Sequence, residues 1–392
     1  MLTQMHFDAG KVTGFFDRFK LKKIRIFSLI STCDCSKTRT SPIFILSLLL
    51  IFICSTLSGQ NETADTLKKK FALFESEELL DIYLKFDLST FLKKNPKTGY
   101  QDAMLIIPLS ATDTIDRKVK IKPRGEYRQQ TCSFPPIMLN FKKLFPAYSD
   151  TGKINKLKLV THCQPGPASD ENVLREYLVY KLFNVLTDTS YRVRLLRVNY
   201  IDTGKDRKPI TQYGFFIEPI EILALRTNSS VANSKNLTQR AIAPGTMDRA
   251  AIFFYMIAQW DWSVPGLHNV SVIVPSNYAG TGLGVAVPFD FDLTGVVNPG
   301  YGTPDEAKMG ITSNRDRIFN GICRSKEEYQ SALEEFKIKK ESFYSVVNDF
   351  PYLSPRSKKD IIGFLDQFLN QLDNQKNLDR LISLLVNTCK KL

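Results

Sequence analysis

Trp260-Asp261-Trp262-Ser263-Val264-Pro265-Gly266-Leu267-His268-Asn269, followed further on by Val287-Pro288-Phe289-Asp290-Phe291-Asp292-Leu293-Thr294-Gly295, is the most informative stretch of this chain. An Asp and an Asn share one tight loop, and a strand-like run then ends in an Asp between two Phe. In an extended chain Asp290 and Asp292 alternate with Phe289, Phe291 and Leu293, so both carboxylates face one side. Two like charges on one face repel unless a cation or an arginine neutralises them. A metal ion fits, and so do arginines such as Arg315 or Arg317. Asp261 lies between the chain's two tryptophans, where an unpaired carboxylate is costly to bury. It reads either as a functional acid or as a hydrogen-bonded turn residue. Magnesium takes one or two carboxylates together with phosphate oxygens and water. Phosphoryl transfer asks the protein chiefly for a carboxylate that positions the acceptor hydroxyl and for oxygen ligands to the metal.

Working outward, the first half of the chain is strand-like. Runs at 80–86, 103–108, 118–122, 137–141, 156–160, 193–199 and 213–217 are β-branched or alternating and bounded by Gly, Pro, Asp and Asn. One long helix interrupts them, with Leu174, Leu178, Leu182 and Leu186 at a spacing of four. Beyond residue 220 the pattern turns helical: an apolar helix over 247–260 with Thr246 as N-cap, a hairpin over 270–287, then two or three helices. One of these presents Ile361, Leu365, Phe368 and Leu372 on a single face. The expected organisation is a targeting segment at 1–59, a linker at 60–78, a β-rich lobe at 79–220 and a helical lobe at 221–392. Gly280-Thr281-Gly282-Leu283-Gly284 imitates a phosphate loop, lacks the following Lys-Ser/Thr, and reads as a hairpin turn.

The order of these motifs resembles the spore-coat-protein-H-type (CotH) kinases, an atypical secretory family. The resemblance rests on Lys122-Pro123-Arg124-Gly125-Glu126-Tyr127-Arg128, on Leu139-Asn140-Phe141-Lys142-Lys143, and on Lys156-Leu157-Lys158-Leu159-Val160. It continues through Asp170-Glu171-Asn172-Val173-Leu174-Arg175-Glu176, Tyr213-Gly214-Phe215-Phe216-Ile217-Glu218 and the acidic segments above. Asp-Trp-Ser-Val-Pro-Gly-Leu-His-Asn and the run Arg315–Arg324 are similar to a group of exported proteins of Bacteroidetes-type bacteria. The resemblance implies an α+β, two-lobed protein-kinase-like fold with a β-rich N-lobe and a helical C-lobe. It implies ATP or another nucleotide with Mg²⁺ or Mn²⁺ as cofactors. Asp261 would be the base, and Asn269, Asp290 and Asp292 the metal ligands. Arg124 would approach the phosphates, Glu176 would pair with a phosphate-binding lysine for which Lys158 is the candidate, and the backbone near Glu218 would meet the adenine. The acceptor would be a hydroxyl of a protein or envelope component.

Two features depart from the family. Ser133-Phe134-Pro135-Pro136 stands where a basic stretch follows the arginine-glycine motif, and the Asp261–Asn269 spacing of eight exceeds the kinase catalytic-loop spacing of about five. They keep open a second reading, a catalytically inactive binding or assembly protein of the cell envelope. A third is a metal-dependent hydrolase using His162, His268 and the aspartates, although neither His sits in an H-E-x-x-H array.

Composition bounds the rest. The net charge is +13, but residues 1–59 carry eight Lys/Arg and three Asp/Glu, leaving 45 against 37 over the remaining 333 residues. Without basic blocks interleaved with aromatics, that excess points to no nucleic acid. Basic residues, the apolar run 43–53 and small residues up to Gly59 read as a secretory signal cleaved near Gly59, with an uncleaved anchor as the alternative, and that run falls short of the length a bilayer span needs. The expectation is an exported protein, periplasmic, outer-envelope or extracellular, with no membrane span after cleavage. Cys132, Cys163, Cys323 and Cys389 would remain, with Cys132–Cys163 the first disulfide expected and a reduced, packed Cys163 the alternative.

Overall fold

The computed structural model describes residues 71–391 except 94–98, 149–151, 206, 233–235 and 303–309. The chain divides into units 1–61 and 62–392, and the described residues all belong to the second. The expected targeting segment and the first part of the linker lie outside the described residues.

Seven strands dominate the first half: β1 (Leu80–Phe86), β2 (Gln101–Pro108), β3 (Thr114–Pro123), β4 (Ile137–Pro146), β5 (Lys153–Val160), β6 (Val193–Asp202) and β7 (Ile210–Ile217). They close into a barrel in the order β1-β2-β3-β4-β5-β7-β6. All neighbours are antiparallel except β1 and β6, which run parallel in a ladder from Leu80↔Leu196 to Phe86↔Asp202. The period-2 pattern turns Ile82, Leu84, Leu105, Ile107, Ile121, Leu139, Leu157 and Val198 into one buried cluster inside the barrel.

This overturns the two-lobed protein-kinase-like fold expected from the sequence. The strands expected to form one lobe's sheet instead close on themselves. The physical reason is that β1 and β6 both carry an apolar face and an unpaired backbone edge. Pairing them satisfies the edge and seals the core.

Short helices α1 (Leu88–Phe91) and α2 (Glu126–Thr131) lie between barrel strands, and the long α3 (Pro167–Leu186) joins β5 to β6. The leucine stripe of α3 enters a second apolar cluster, built with α4 (Ile220–Arg226) and α5 (Pro244–Met256). The helix expected at 247–260 starts three residues earlier, with Pro244 at its first turn, and ends at Met256. Ala258 with φ +54° and Gln259, whose N–H reaches back to Phe254, break it before Trp260. A three-stranded sheet of order β10-β9-β8 follows: β8 (Ser229–Val231), β9 (Val270–Pro275) and β10 (Val285–Pro288). β8 falls in what reads as a polar loop. Four amphipathic helices close the unit: α6 (Lys326–Ile338), α7 (Lys340–Asn348), α8 (Pro355–Leu369) and α9 (Gln375–Thr388). A capping box of Ser325 and Glu328 starts α6. Disulfides join Cys132 to Cys163 and Cys323 to Cys389.

Candidate functional site

The arginine-glycine motif ends β3. The Arg124 N–H donates to Pro136 O (2.9 Å), and Gly125, with φ +74°, turns the chain into α2. That turn aims Arg128 inward, where its Nη2 donates to Thr161 O (2.6 Å). The Cys132–Cys163 disulfide and the Phe134 N–H to Cys163 O bond pin α2 to the exit of β5, holding Arg128 in place.

From the other side, α3 presents Glu176 and Tyr180 four residues apart, on one helix face. Arg128 bridges two buried acids, with Nη1 3.7 Å from Glu176 Oε2 and Nε 3.9 Å from Asp292 Oδ2. The Tyr180 hydroxyl accepts the Asp290 N–H (3.0 Å), and the Gln259 side-chain amide donates to Asp290 O (3.0 Å). Asp290 has φ +61°. β10 ends at Pro288, so Asp290 and Asp292 do not alternate along a strand as expected. The left-handed residue breaks the extended chain, and the two carboxylates converge from a bend.

The third component is the loop before β9. Pro265 and Gly266 are the central residues of a turn closed by Leu267 N–H to Val264 O (3.0 Å), and Gly266 supplies φ +83°. That is the type II preference of Pro followed by Gly. Ser263 and His268 pair across it. The Asn269 side-chain amide donates to Asp261 O (2.6 Å), while Asn269 O accepts the Phe289 N–H (3.1 Å), which ties the two acidic segments together. His268 Nε2 sits 3.0 Å from Asp261 Oδ2. That hydrogen bond, with the Asp261 charge and the nearby Asp290, raises the His268 pKa against partial burial.

The electrostatics are those of a tight, mixed cluster. Burial pushes the Glu176 pKa up, Asp292 adds to it, and Arg128 opposes. Burial and Asp290 likewise raise Asp292 against Arg128 and Arg124. Arg128 moves the other way in effect: burial works against its charge, but Tyr301, Asp292 and Glu176 outweigh it and the cation is favoured. Burial lowers the pKa of Arg124 against Asp290, and that of Lys158 with Arg124 adding and Asp290 opposing. Lys158 Nζ lies 5.2 Å from the centre of the Phe289 ring.

The structure thus brings together Arg124, Lys158, Glu176, Asp261, Asn269, Asp290 and Asp292. Two expectations change, on the partner of Glu176 and on the arginine beside Asp292. The ion pair of Glu176 goes to Arg128 and not to Lys158. Glu218 is a buried anchor that accepts from Tyr148, from Arg226 and from the Arg192 N–H, and its own N–H donates to Arg192 O. Among the described residues no contact links it to the acids. The arginine beside Asp292 is Arg128, because Arg315 pairs with Asp360 and Arg317 holds Phe364 O and Gln367. Sequence reasoning missed Arg128 as a participant, although its position four residues after Arg124 in a one-turn helix was a usable signal. The His162 ring packs against Phe134, tilted by 32° with centroids 4.4 Å apart.

Among the described residues no three His, Cys, Asp or Glu side chains group as a metal site. A Mg²⁺ ion needs fewer, since phosphate oxygens complete its shell. The donor set fits: no hydrogen bond or ion pair engages the Asp290 carboxylate among the described residues. Asn269 spends its amide NH₂ on Asp261 O, which leaves its Oδ1 for a hard cation.

No protein-family model matches the chain, and no curated protein matches it. The spore-coat-type resemblance therefore rests on its motifs. Among solved structures the chain is similar to that of a Helicobacter pylori proinflammatory kinase, CtkA, with a TM-score of 0.32 and 10% identity, over 75% of this chain and 94% of that one. A likeness at that level carries no argument.

Proposed function

We propose that the protein is an exported, nucleotide-dependent phosphotransferase acting on a hydroxyl of a protein or envelope component. The observation that carries this is the Asp290 carboxylate, which no hydrogen bond or ion pair engages among the described residues, with Arg124 and Lys158 near enough to feel its charge and with Phe289 and Asn269 tying it to the Asp261 loop. Asp290, Asp292 and Asn269 would hold Mg²⁺ or Mn²⁺, which when bound supplies charge neutralisation at the phosphates. Arg124 and Lys158 bind phosphate oxygens of ATP. Asp261 is oriented by His268 and is partly exposed, so one carboxylate oxygen remains to accept a hydroxyl. The acceptor oxygen forms its bond to the γ-phosphorus as the bridge to the β-phosphate breaks. The hydroxyl proton passes to Asp261, and ADP leaves with the electron pair. The two disulfides support export, since such bonds persist in oxidising compartments.

The test is a thermal-shift titration of the full chain with ATP, with and without Mg²⁺ or Mn²⁺. Ligand at about one hundred times its Kd adds about 2.7 kcal/mol to the native state. The metal-dependent rise is expected to vanish in Asp290→Asn. No rise at millimolar ATP refutes the proposal. A rise without phosphoryl transfer in any acceptor screen assigns the inactive binding module instead.

A further inference from the structure

The outer face of the barrel carries rows of lysine, of which the proposed reaction uses only Lys158. Strand register places Lys85 beside Met104 and Met104 beside Lys118 across β1, β2 and β3. The next row runs Asp102, Lys120, Asn140, Lys156 across β2 to β5. The third runs Lys122, Met138, Lys158 and ends at the Lys158 that flanks Asp290. Lys142, exposed on β4, adds to the first row. Against these lysines stand Asp102, paired with Lys120 at 3.1 Å, and Asp116. At the first row the face dips into a groove of about 780 Å³ lined by Met104 and Ile106, by Lys85, Lys118 and Lys142, and by Asp102 and Asp116. From Lys118 to Lys122 is four residues of strand, about 13 Å, and Lys122 stands in the same row as Lys158.

We propose that this face docks an acidic polypeptide segment that also carries apolar side chains, and that the segment belongs to the acceptor. The assignment of the segment to an acceptor rests on the phosphotransferase reading; the docking itself does not. Charge complementarity selects an anionic partner, because the lysines outnumber the acids across three rows. The groove selects among anions. A flat bilayer cannot follow Met104 and Ile106 into it, and an anionic glycan offers them no apolar side chain. A peptide alternating acidic and apolar residues serves both.

The test uses the full chain and a dye-labelled peptide of repeated Glu-Leu-Glu-Ser units, read by fluorescence anisotropy. A Lys-Leu-Lys-Ser peptide and phosphatidylglycerol vesicles run alongside. Saturable binding of the acidic peptide is expected, weakened about ten- to a hundredfold in the triple variant Lys85→Gln, Lys118→Gln, Lys142→Gln, as three exposed ion pairs would give. The variant's melting curve and its ATP-dependent shift should stay as in the parent. Asp290→Asn should lose that shift and keep the peptide. Equal affinity in parent and triple variant overturns the proposal, as does equal binding of acidic and basic peptides. Binding to vesicles without binding to the peptide overturns it in favour of a membrane surface. Peptide binding through these lysines with no nucleotide shift keeps the docking face and sinks only the phosphotransferase premise.

Discussion

Replacing Arg128 by Met tests whether the acids of the site are held in place by one guanidinium. Its nitrogens lie 3.7 Å from Glu176 and 3.9 Å from Asp292. At an effective dielectric of about 20, each distance corresponds to about 4 kcal/mol of gross attraction. Much of that is offset by desolvation, since Arg128 is 7% exposed, Glu176 2% and Asp292 8%. Removing the cation leaves two buried acids facing each other and costs an expected 3–5 kcal/mol, or about that. The bond from Arg128 to Thr161 O (2.6 Å) is lost as well. Urea denaturation at neutral pH reads the loss as a shift in midpoint at constant slope. Glu176→Gln in the Arg128→Met background should restore part of it, because one uncompensated charge is gone. The double-mutant cycle should give a coupling of about 1–3 kcal/mol. A loss below about 1 kcal/mol, or strictly additive variants, would refute the claim that Arg128 neutralises this cluster.

His162 should make the fold acid-sensitive. Burial, with Arg128 adding, depresses its pKa from 6.5 to about 4, so between those values the unfolded chain binds a proton that the folded chain refuses. Stability is full above pH 6.5 and falls as pH drops towards 4, by about 3 kcal/mol. His162→Phe, whose ring would pack against Phe134 and Tyr200 as the imidazole does, should show a correspondingly flatter stability profile in urea titrations from neutral to acid pH; an unchanged slope contradicts the assignment. The Cys323–Cys389 bond closes 66 residues and should contribute about 4 kcal/mol by loop closure. Equilibrium unfolding of Cys323→Ser with Cys389→Ser checks this, and a loss below about 1 kcal/mol is inconsistent with it.

Strand identity was legible because alternation is local: Leu-Asp-Ile-Tyr-Leu-Lys-Phe at 80–86 forms β1 over those same residues. Which edge pairs with which was not. Nothing in β1 marks β6 as its partner, and that one parallel ladder separates a closed barrel from an open lobe. The proximity of the candidate residues was legible in outline because they are costly to place otherwise: acids between aromatics and a lysine in a strand. Arg128 stood in the sequence only as the last residue of the arginine-glycine motif, and the disulfide and Thr161 show that it faces inward.

The parallel ladder between β1 and β6 also sets a schedule. Asp81 and Arg197 grip each other across it although 116 residues separate them. A chain emerging residue by residue therefore carries β1 with one edge unsatisfied until β6 has followed, with all of α3 made in between. Contacts this distant form late and slow folding, and an open strand edge waiting for its partner is a hazard for misassembly. Barrel closure is thus the step at which a helper protein, or a mutation in β6, would have most influence on yield, well away from any residue of the acidic site.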